Sequence, residues 1–343
     1  MYESIAVALN RTLADEMRRD SSVFVLGEDI GTLGGAYQVT KGLLEEFGLA
    51  RVRDTPCSEI AIIGVSIGAA VAGMRPVAEL QFSDFIFCAM DQVVNQAAKL
   101  RMMFGGQASV PMVIRAPQGA AGRAAQHSQC IEAYFMHTPG LKVALPSDPY
   151  DARGLLAAAI RDDNPVLFLE HKLLYGSTSA GGKAKSATRF LTTLRPAPEE
   201  DYTIPLGLAD VKREGRDVTV VATQYMLHLS LRVADRLAEE SISLEVIDPR
   251  TVVPLDMDTI SRSVRKTGRL VVVSEEVLTC GFASEVVARV AETCHELLKA
   301  APQRVGTFDS PIPFAPESEK FVLPSEDKIA AAVRRTLHAS VAV

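Results

Sequence analysis

No stretch of this 343-residue chain is apolar for long enough to cross a membrane. The longest such run, Ile60 to Met74, falls short of the ~18 residues a span requires and reads as a buried helix. Basic clusters are missing as well. No block of Lys and Arg with interleaved aromatics occurs, and a formal net charge of -6 gives no electrostatic reason to bind nucleic acid. Cysteine is sparse: Cys57, Cys88, Cys130, Cys280 and Cys294 are scattered, with neither a Cys-x-x-Cys pair nor metal-finger spacing. Such thiols suit a reducing compartment better than a disulfide framework. The N-terminus does not read as a signal or transit peptide. Met1-Tyr2-Glu3-Ser4 leads directly into Ile5, Leu9, Leu13 and Met17, four apart on one helical face. These absences predict a bacterial-type cytoplasmic protein with no membrane and no nucleic-acid partner.

What the chain does have is alternation. Strand and helix patterns follow one another throughout, which predicts α/β layers with largely parallel sheets, and the length has room for about two domains. In the first half, strands are predicted at Val23–Leu26, Val77–Leu80, Met112–Arg115, Lys142–Leu145 and Val166–Glu170, with helices over 4–18, 59–73, 86–103 and 148–161. Between Gly176 and Asp201 the sequence turns to Gly, Pro, Ser and Thr, the composition of a linker. A second series follows, with strands at Val218–Ala222, Leu244–Ile247 and Leu270–Ser274, helices over 226–239, 257–266 and 283–298, and a closing helix after Ser325. The expected division is a domain over 1–176, a linker over 177–201 and a second domain over 202–343.

In open α/β sheets ligands sit at the carboxyl ends of the strands. Gly27-Glu28-Asp29, Gln81-Phe82-Ser83-Asp84-Phe85 and the loop from Gly119 to Gln129 all follow predicted strands. Glu59 opens the apolar helix. It is either a helix-terminal carboxylate worth under about 1 kcal/mol or a shielded group with a chemical task. Phe85 lies in an aromatic patch with Phe82 and Phe87, for which core packing is the plain reading. His127 stands in a polar loop, Gln126-His127-Ser128-Gln129, and a lone histidine is usually structural. His137, His171, His228, His295 and His338 have no comparable setting. Gly64-Val65-Ser66-Ile67-Gly68 matches a nucleophile-elbow pattern, but Ser66 falls inside a helical run where the glycines would serve close packing. Gly31-Thr32-Leu33-Gly34-Gly35 lacks dinucleotide spacing.

Asp54-Thr55-Pro56-Cys57-Ser58-Glu59, Gln81 to Phe85 and Ala125-Gln126-His127-Ser128-Gln129, in this order, resemble the β subunit of the heteromeric thiamine-diphosphate-dependent 2-oxo acid and acetoin dehydrogenases. Further matching segments are Pro139 to Val143, Pro146 to Ala152, Glu170 to Gly176, Tyr202 to Gly207, Val246 to Arg250 and Lys266 to Leu270. The resemblance implies a transketolase-like pyrimidine-binding domain followed by a transketolase C-terminal-type α/β domain. It implies that Glu59 hydrogen-bonds the aminopyrimidine ring nitrogen of thiamine diphosphate and that Phe85 stacks on that ring. Cys57 and Cys88 would be further cofactor-contacting positions. His127 would face the reacting carbon and assist acyl transfer to a lipoyl group. Carbonyls of Met112, Ala159, Ile160, Asp162 and Asn164 would hold a monovalent cation, potassium.

The family binds magnesium and diphosphate through Gly-Asp-Gly, and no Gly-Asp-Gly occurs here. The resemblance therefore implies an α subunit that supplies the magnesium site, in a heterotetramer of two α and two β chains. A second partner is the lipoyl domain of a dihydrolipoyl acyltransferase. The implied activity is pyruvate or acetoin dehydrogenase, an oxidoreductase. Ala-Ala before Gln126-His127 favours small substrates, and Met103-Phe104-Gly105-Gly106 with Ser58-Glu59-Ile60-Ala61 lean toward acetoin-type sequences. Two other readings stay open. One is the C-terminal half of a split transketolase acting on sugar phosphates. The other is a non-catalytic binding subunit.

Overall fold

The computed structural model describes residues 4–176 and 197–338. Most of the segment expected as a linker, 177–196, lies outside the described residues. The chain divides into two compact units, Met1–Gln118 with Tyr134–Leu206, and Gly119–Ala133 with Gly207–Val343. No helix among the described residues is long and apolar enough to cross a membrane.

The first unit is built on strands β1 (Val23–Gly27), β2 (Val52–Asp54), β3 (Arg75–Glu79), β4 (Val113–Gln118), β5 (Lys142–Ala144) and β6 (Val166–His171). They pair in the order β5-β6-β4-β3-β1-β2, and every pair is parallel. Its helices are α1 (Ile5–Arg19), α2 (Leu43–Phe47), α3 (Glu59–Val71), α4 (Leu100–Met103), α5 (Glu132–Met136), inside which the division falls, and α6 (Pro149–Arg161). Local sequence sets the helix ends. Ser4 caps α1 by accepting from Val7 N at 3.3 Å, and Asp148 caps α6 by accepting from Asp151 N at 2.7 Å, with Pro149 at the first helical position.

Three expectations need correction. The helix predicted over 86–103 is a 3₁₀ turn over Ser83–Ala89, a π-helix over Asp91–Ala97 and the short α4. Ile86, Ala89, Val93 and Ala97 nonetheless stay buried, so one apolar face persists while the hydrogen-bond pattern changes. The run from Ile60 to Met74 is not a buried helix. Ile62, Ile63, Ile67 and Ala70 face inward, but Ile60, Val65 and Val71 are 51%, 61% and 50% exposed. Gly64 and Gly68 do not serve close packing within the unit either. A Cβ on Gly68 would meet nothing within 4 Å, and one on Gly64 only the Gln92 amide at 3.7 Å. A helix covering a sheet buries one face, and here the other face is apolar as well.

The second unit contains β7 (Asp210–Arg213), β8 (Val218–Ala222), β9 (Leu244–Asp248), β10 (Thr251–Val253), β11 (Leu270–Val277) and β12 (Gln303–Thr307). Its sheet runs β12-β11-β8-β9-β7, parallel except for the edge strand β7. The helices are α7 (Gln224–Ala238), α8 (Met257–Thr267), α9 (Phe282–Cys294), α10 (Pro316–Val322) and α11 (Glu326–His338). Val220, Val246, Val271 and Val273 of the sheet pack with Val233 and Leu237 of α7 and Ile329 and Val333 of α11. On α8, Ser263 and Thr267 share Thr219 Oγ1 at 2.6 and 2.8 Å, which satisfies three buried hydroxyls together.

Within the first sheet, Arg115 of β4 is 2% exposed and lies between two carboxylates. It reaches Glu79 of β3 at 2.6 Å and Glu170 of β6 at 2.7 Å. Tyr175 donates to the other oxygen of Glu170 at 3.1 Å and stacks on Tyr37 at 4.5 Å. One cation cannot neutralise two buried anions. Burial raises both carboxyls, and Glu170 is pushed up to about 7. Its unfolded counterpart titrates in the ordinary carboxylate range, so the folded state keeps an extra proton above that range. Stability from this group is full below the unfolded pKa and is lost as pH rises through about 7. Glu170→Gln imitates the protonated form permanently. Its melting temperature relative to wild type should rise by several degrees between pH 5 and pH 8; a difference that stays flat means no proton is held there.

Candidate functional site

The carboxyl end of β1 approaches β3 closely: a Cβ on Gly27 would lie 2.5 Å from Glu79 O. Thr55 N then donates to Gly27 O at 3.0 Å, and Gly31 N donates to Asp54 Oδ1 at 2.7 Å. These bonds bring the turn between β2 and α3 beside the loop that follows β1. Cys57 on that turn hydrogen-bonds Glu28, and Glu59 and Cys88 lie close enough to act on it electrostatically. Glu28, through its hydrogen bond and its charge, pushes the Cys57 thiol up, with smaller contributions from Glu59, burial and Cys88. The groups that push it up are two carboxylates and a second thiol.

Glu59 is half-buried at the first position of α3. Ser58 before it makes no side-chain capping bond, while its carbonyl accepts from Ala61 N at 3.1 Å and Ile62 N at 2.9 Å. The 3₁₀ turn that carries Phe85 packs against α3. Phe85 is half-buried and meets Phe82 edge-on at 5.5 Å, and Phe82 receives the Lys172 ammonium at 5.4 Å. Phe87 meets Tyr134 edge-on at 5.0 Å. Phe82 and Phe87, expected in the core, are half-buried.

The structure thus brings Cys57, Glu59 and Cys88 into one constellation, beside a helix that packs on Phe85's turn. Glu28 joins them and was not singled out from sequence. Its position after β1 was visible, but its partner Cys57 lies on a turn whose path depends on β2, a three-residue strand without a sequence signature. His127 belongs to the other unit, on the segment Gly119–Ala133, where it is half-buried and its amide donates to Ala124 O at 3.3 Å.

Four of the five carbonyls expected to hold a cation, those of Met112, Ala159, Ile160 and Asp162, each accept one hydrogen bond from a protein donor. Arg75 Nη1 donates to both Ile160 O and Asp162 O at 3.0 Å. Met112 O accepts from Val166 N at 3.0 Å, and Ala159 O from Asp162 N at 3.3 Å. Asn164 is tied to Asp162 through its amide groups at 2.9 Å. Ser66 is buried within α3 and donates to Ile62 O at 2.7 Å, which is no geometry for a nucleophile elbow.

Because Glu28 holds the Cys57 thiol protonated, Glu28→Gln should lower its pKa and speed its alkylation. Iodoacetamide labelling at pH 8, mapped by peptide mass spectrometry with exposed Cys280 as the internal reference, reads this directly. Equal labelling rates at Cys57 in the variant and wild type would remove Glu28 from the constellation.

Residues 4–178 match the transketolase pyrimidine binding domain, and residues 207–329 match the transketolase C-terminal domain. The chain is 46% identical over 329 residues to the 2-oxoisovalerate dehydrogenase subunit beta of Bacillus subtilis, covering 95% of this chain and 96% of the relative. It is 47% identical to the acetoin:2,6-dichlorophenolindophenol oxidoreductase subunit beta of Cupriavidus necator, covering 97% of each. It is 43% identical to the pyruvate dehydrogenase E1 component subunit beta of Rickettsia felis, covering 99% and 100%. Among solved structures, a split-gene transketolase in an inactive β4 tetramer superimposes with a TM-score of 0.75 at 22% identity, covering 97% of this chain and 98% of that one. That likeness concerns the fold. With two transketolase-type domains and full-length identities of this size, the chain belongs to the family of β subunits of the 2-oxo acid, pyruvate and acetoin dehydrogenases.

Proposed function

We propose that this chain is the β subunit of a thiamine-diphosphate-dependent dehydrogenase that cleaves a small 2-oxo acid, pyruvate, or acetoin, and passes the acyl group to a lipoyl group. The observation that carries the reading is the placement of Glu59 at the start of α3, where the turn before it is bonded to the loop after β1 and the helix packs on the turn of Phe85, at the carboxyl end of a parallel sheet and near Glu28, Cys57 and Cys88. Such a set suits an aminopyrimidine, whose ring nitrogen takes a proton, and repels a diphosphate. The diphosphate and its magnesium therefore fall to an α subunit, in keeping with the missing Gly-Asp-Gly. Glu59 holds a proton at the pyrimidine ring nitrogen, and Phe85 offers a flat face to the ring. When bound, the cofactor supplies the electron sink. For a 2-oxo acid the balance is simple: carbon dioxide leaves, one lipoyl sulfur takes the acyl group, and the other takes the proton. The lipoyl disulfide is reduced by the electron pair of the broken carbon–carbon bond. His127 gives general acid–base help in this transfer, and the alanines before it favour a small acyl group.

The isolated chain should not bind thiamine diphosphate tightly, even with magnesium. Stoichiometric, tight binding in a calorimetric titration of this chain alone would defeat the division of labour. In the complex with the α subunit, Glu59→Gln should keep the fold and slow exchange of the thiazolium proton by orders of magnitude; near-normal exchange would reduce Glu59 to a helix-terminal charge. His127→Ala should leave that exchange largely intact and depress transfer to a lipoyl domain about 10²–10⁴-fold, more than reaction with an artificial electron acceptor. Equal losses in both assays would place His127 at an earlier step.

A further inference from the structure

The segment Gly119–Ala133 carries His127, and the second unit holds its backbone amides with glutamates. Ala120 N donates to Glu275 Oε1 at 2.5 Å, and Gly122 N donates to Glu319 Oε1 at 3.1 Å. At the far end the Ala133 amide lies close enough to the Glu276 carboxyl to favour its charged form. Gly119 N closes the neck of the loop on Gln129 O at 3.2 Å. All three glutamates are buried. Burying a carboxylate costs free energy that a neutral acceptor would not, so their use on one segment asks for a reason. Bonds from amides to carboxylates are also about twice as strong as neutral ones.

The reason lies inside the loop. Ala124, three residues before His127, has a left-handed backbone with φ of 63°, and His127 N turns back onto its carbonyl. A non-glycine residue there costs roughly 1–2 kcal/mol and persists only where its surroundings over-determine it. Gly122, φ 70°, has open space around it, so packing does not fix the chain at that point. The carboxylates do. Glu276 is itself built in: it also accepts from Phe282 N at the start of α9, and a Cβ on Gly281 would lie 2.7 Å from its Oε1.

We propose that Glu319 and Glu275, with Glu276 at the far end, are positioning residues that preset His127 for acyl transfer. The proposal rests on the role given to His127 above. The test uses the complex with the α subunit and thiamine diphosphate, assayed with an isolated lipoyl domain and with an artificial acceptor. Glu319→Ala should lower kcat for lipoyl transfer about 10- to 100-fold and the acceptor reaction much less. Glu319→Gln keeps an acceptor for the Gly122 amide and should restore most of the loss. Combined with His127→Ala, Glu319→Ala should add no further loss, because it acts through the histidine. Glu319→Asp keeps the charge but withdraws it by one methylene. It should show the same split and serves if the alanine variant does not assemble. Multiplying losses in the double variant, or equal losses in both assays, would overturn the proposal and leave Glu319 merely structural. An unimpaired Glu319→Ala beside an impaired His127→Ala sinks this inference alone. An unimpaired His127→Ala sinks the reading of the histidine and, with it, this one.

Discussion

One guanidinium decides where the carboxyl ends of three central strands lie. Arg115 on β4 grips Glu79 on β3 and Glu170 on β6, so the strand ends are fixed by charge as well as by the backbone ladder. The chain leaving β3 becomes Gln81 to Phe85, and the chain leaving β6 reaches Tyr175, which returns to Glu170 and stacks on Tyr37 of the loop after β1. Within that loop a Cβ on Gly35 would lie 2.4 Å from Glu79 Oε1, so the loop presses directly on the charged cluster. Losing one partner of such a buried set costs about 3–5 kcal/mol, because the others remain uncompensated. The same cluster carries surplus negative charge, and the proton it retains is what makes a buried 2:1 arrangement tolerable.

Acidity organises both units, for different ends. In the first, Glu28 and Glu59 lie near Cys57 on a turn whose Asp54 ties it to the loop after β1. In the second, Glu275, Glu276 and Glu319 point at amides, and the resulting bonds shape a loop. Burial pushes the Glu276 carboxyl up, and the nearby Glu132 pushes it further.

The fold was largely legible because long periodic elements announce themselves. β1, β4, β6, α1 and α6 sit within a few residues of their predicted places, and Asp148-Pro149 marked the start of α6. The strands β2, β7, β10 and β12 were missed; β2, β7 and β12 carry charged, exposed or half-buried residues where an apolar run would have marked a strand. The break in the helix after Ser83 was invisible because apolar spacing survives a change of hydrogen-bond type. Of the candidate site, Glu59, Phe85 and His127 were named from sequence through family resemblance. Glu28 was not assigned a role, because its meaning depends on where β2 delivers Cys57. The tethering glutamates lie some 140 to 200 positions from their amides, a separation no local pattern spans.

The outward face of α3 has a consequence for how the chain behaves in solution. Ile60, Val65 and Val71, with glycines between them, present a smooth apolar ridge to water. A ridge of this kind is adhesive, and the attraction strengthens with warmth and with kosmotropic salt. Warming or salting a concentrated solution of the chain by itself should therefore favour self-association through this face before any loss of fold.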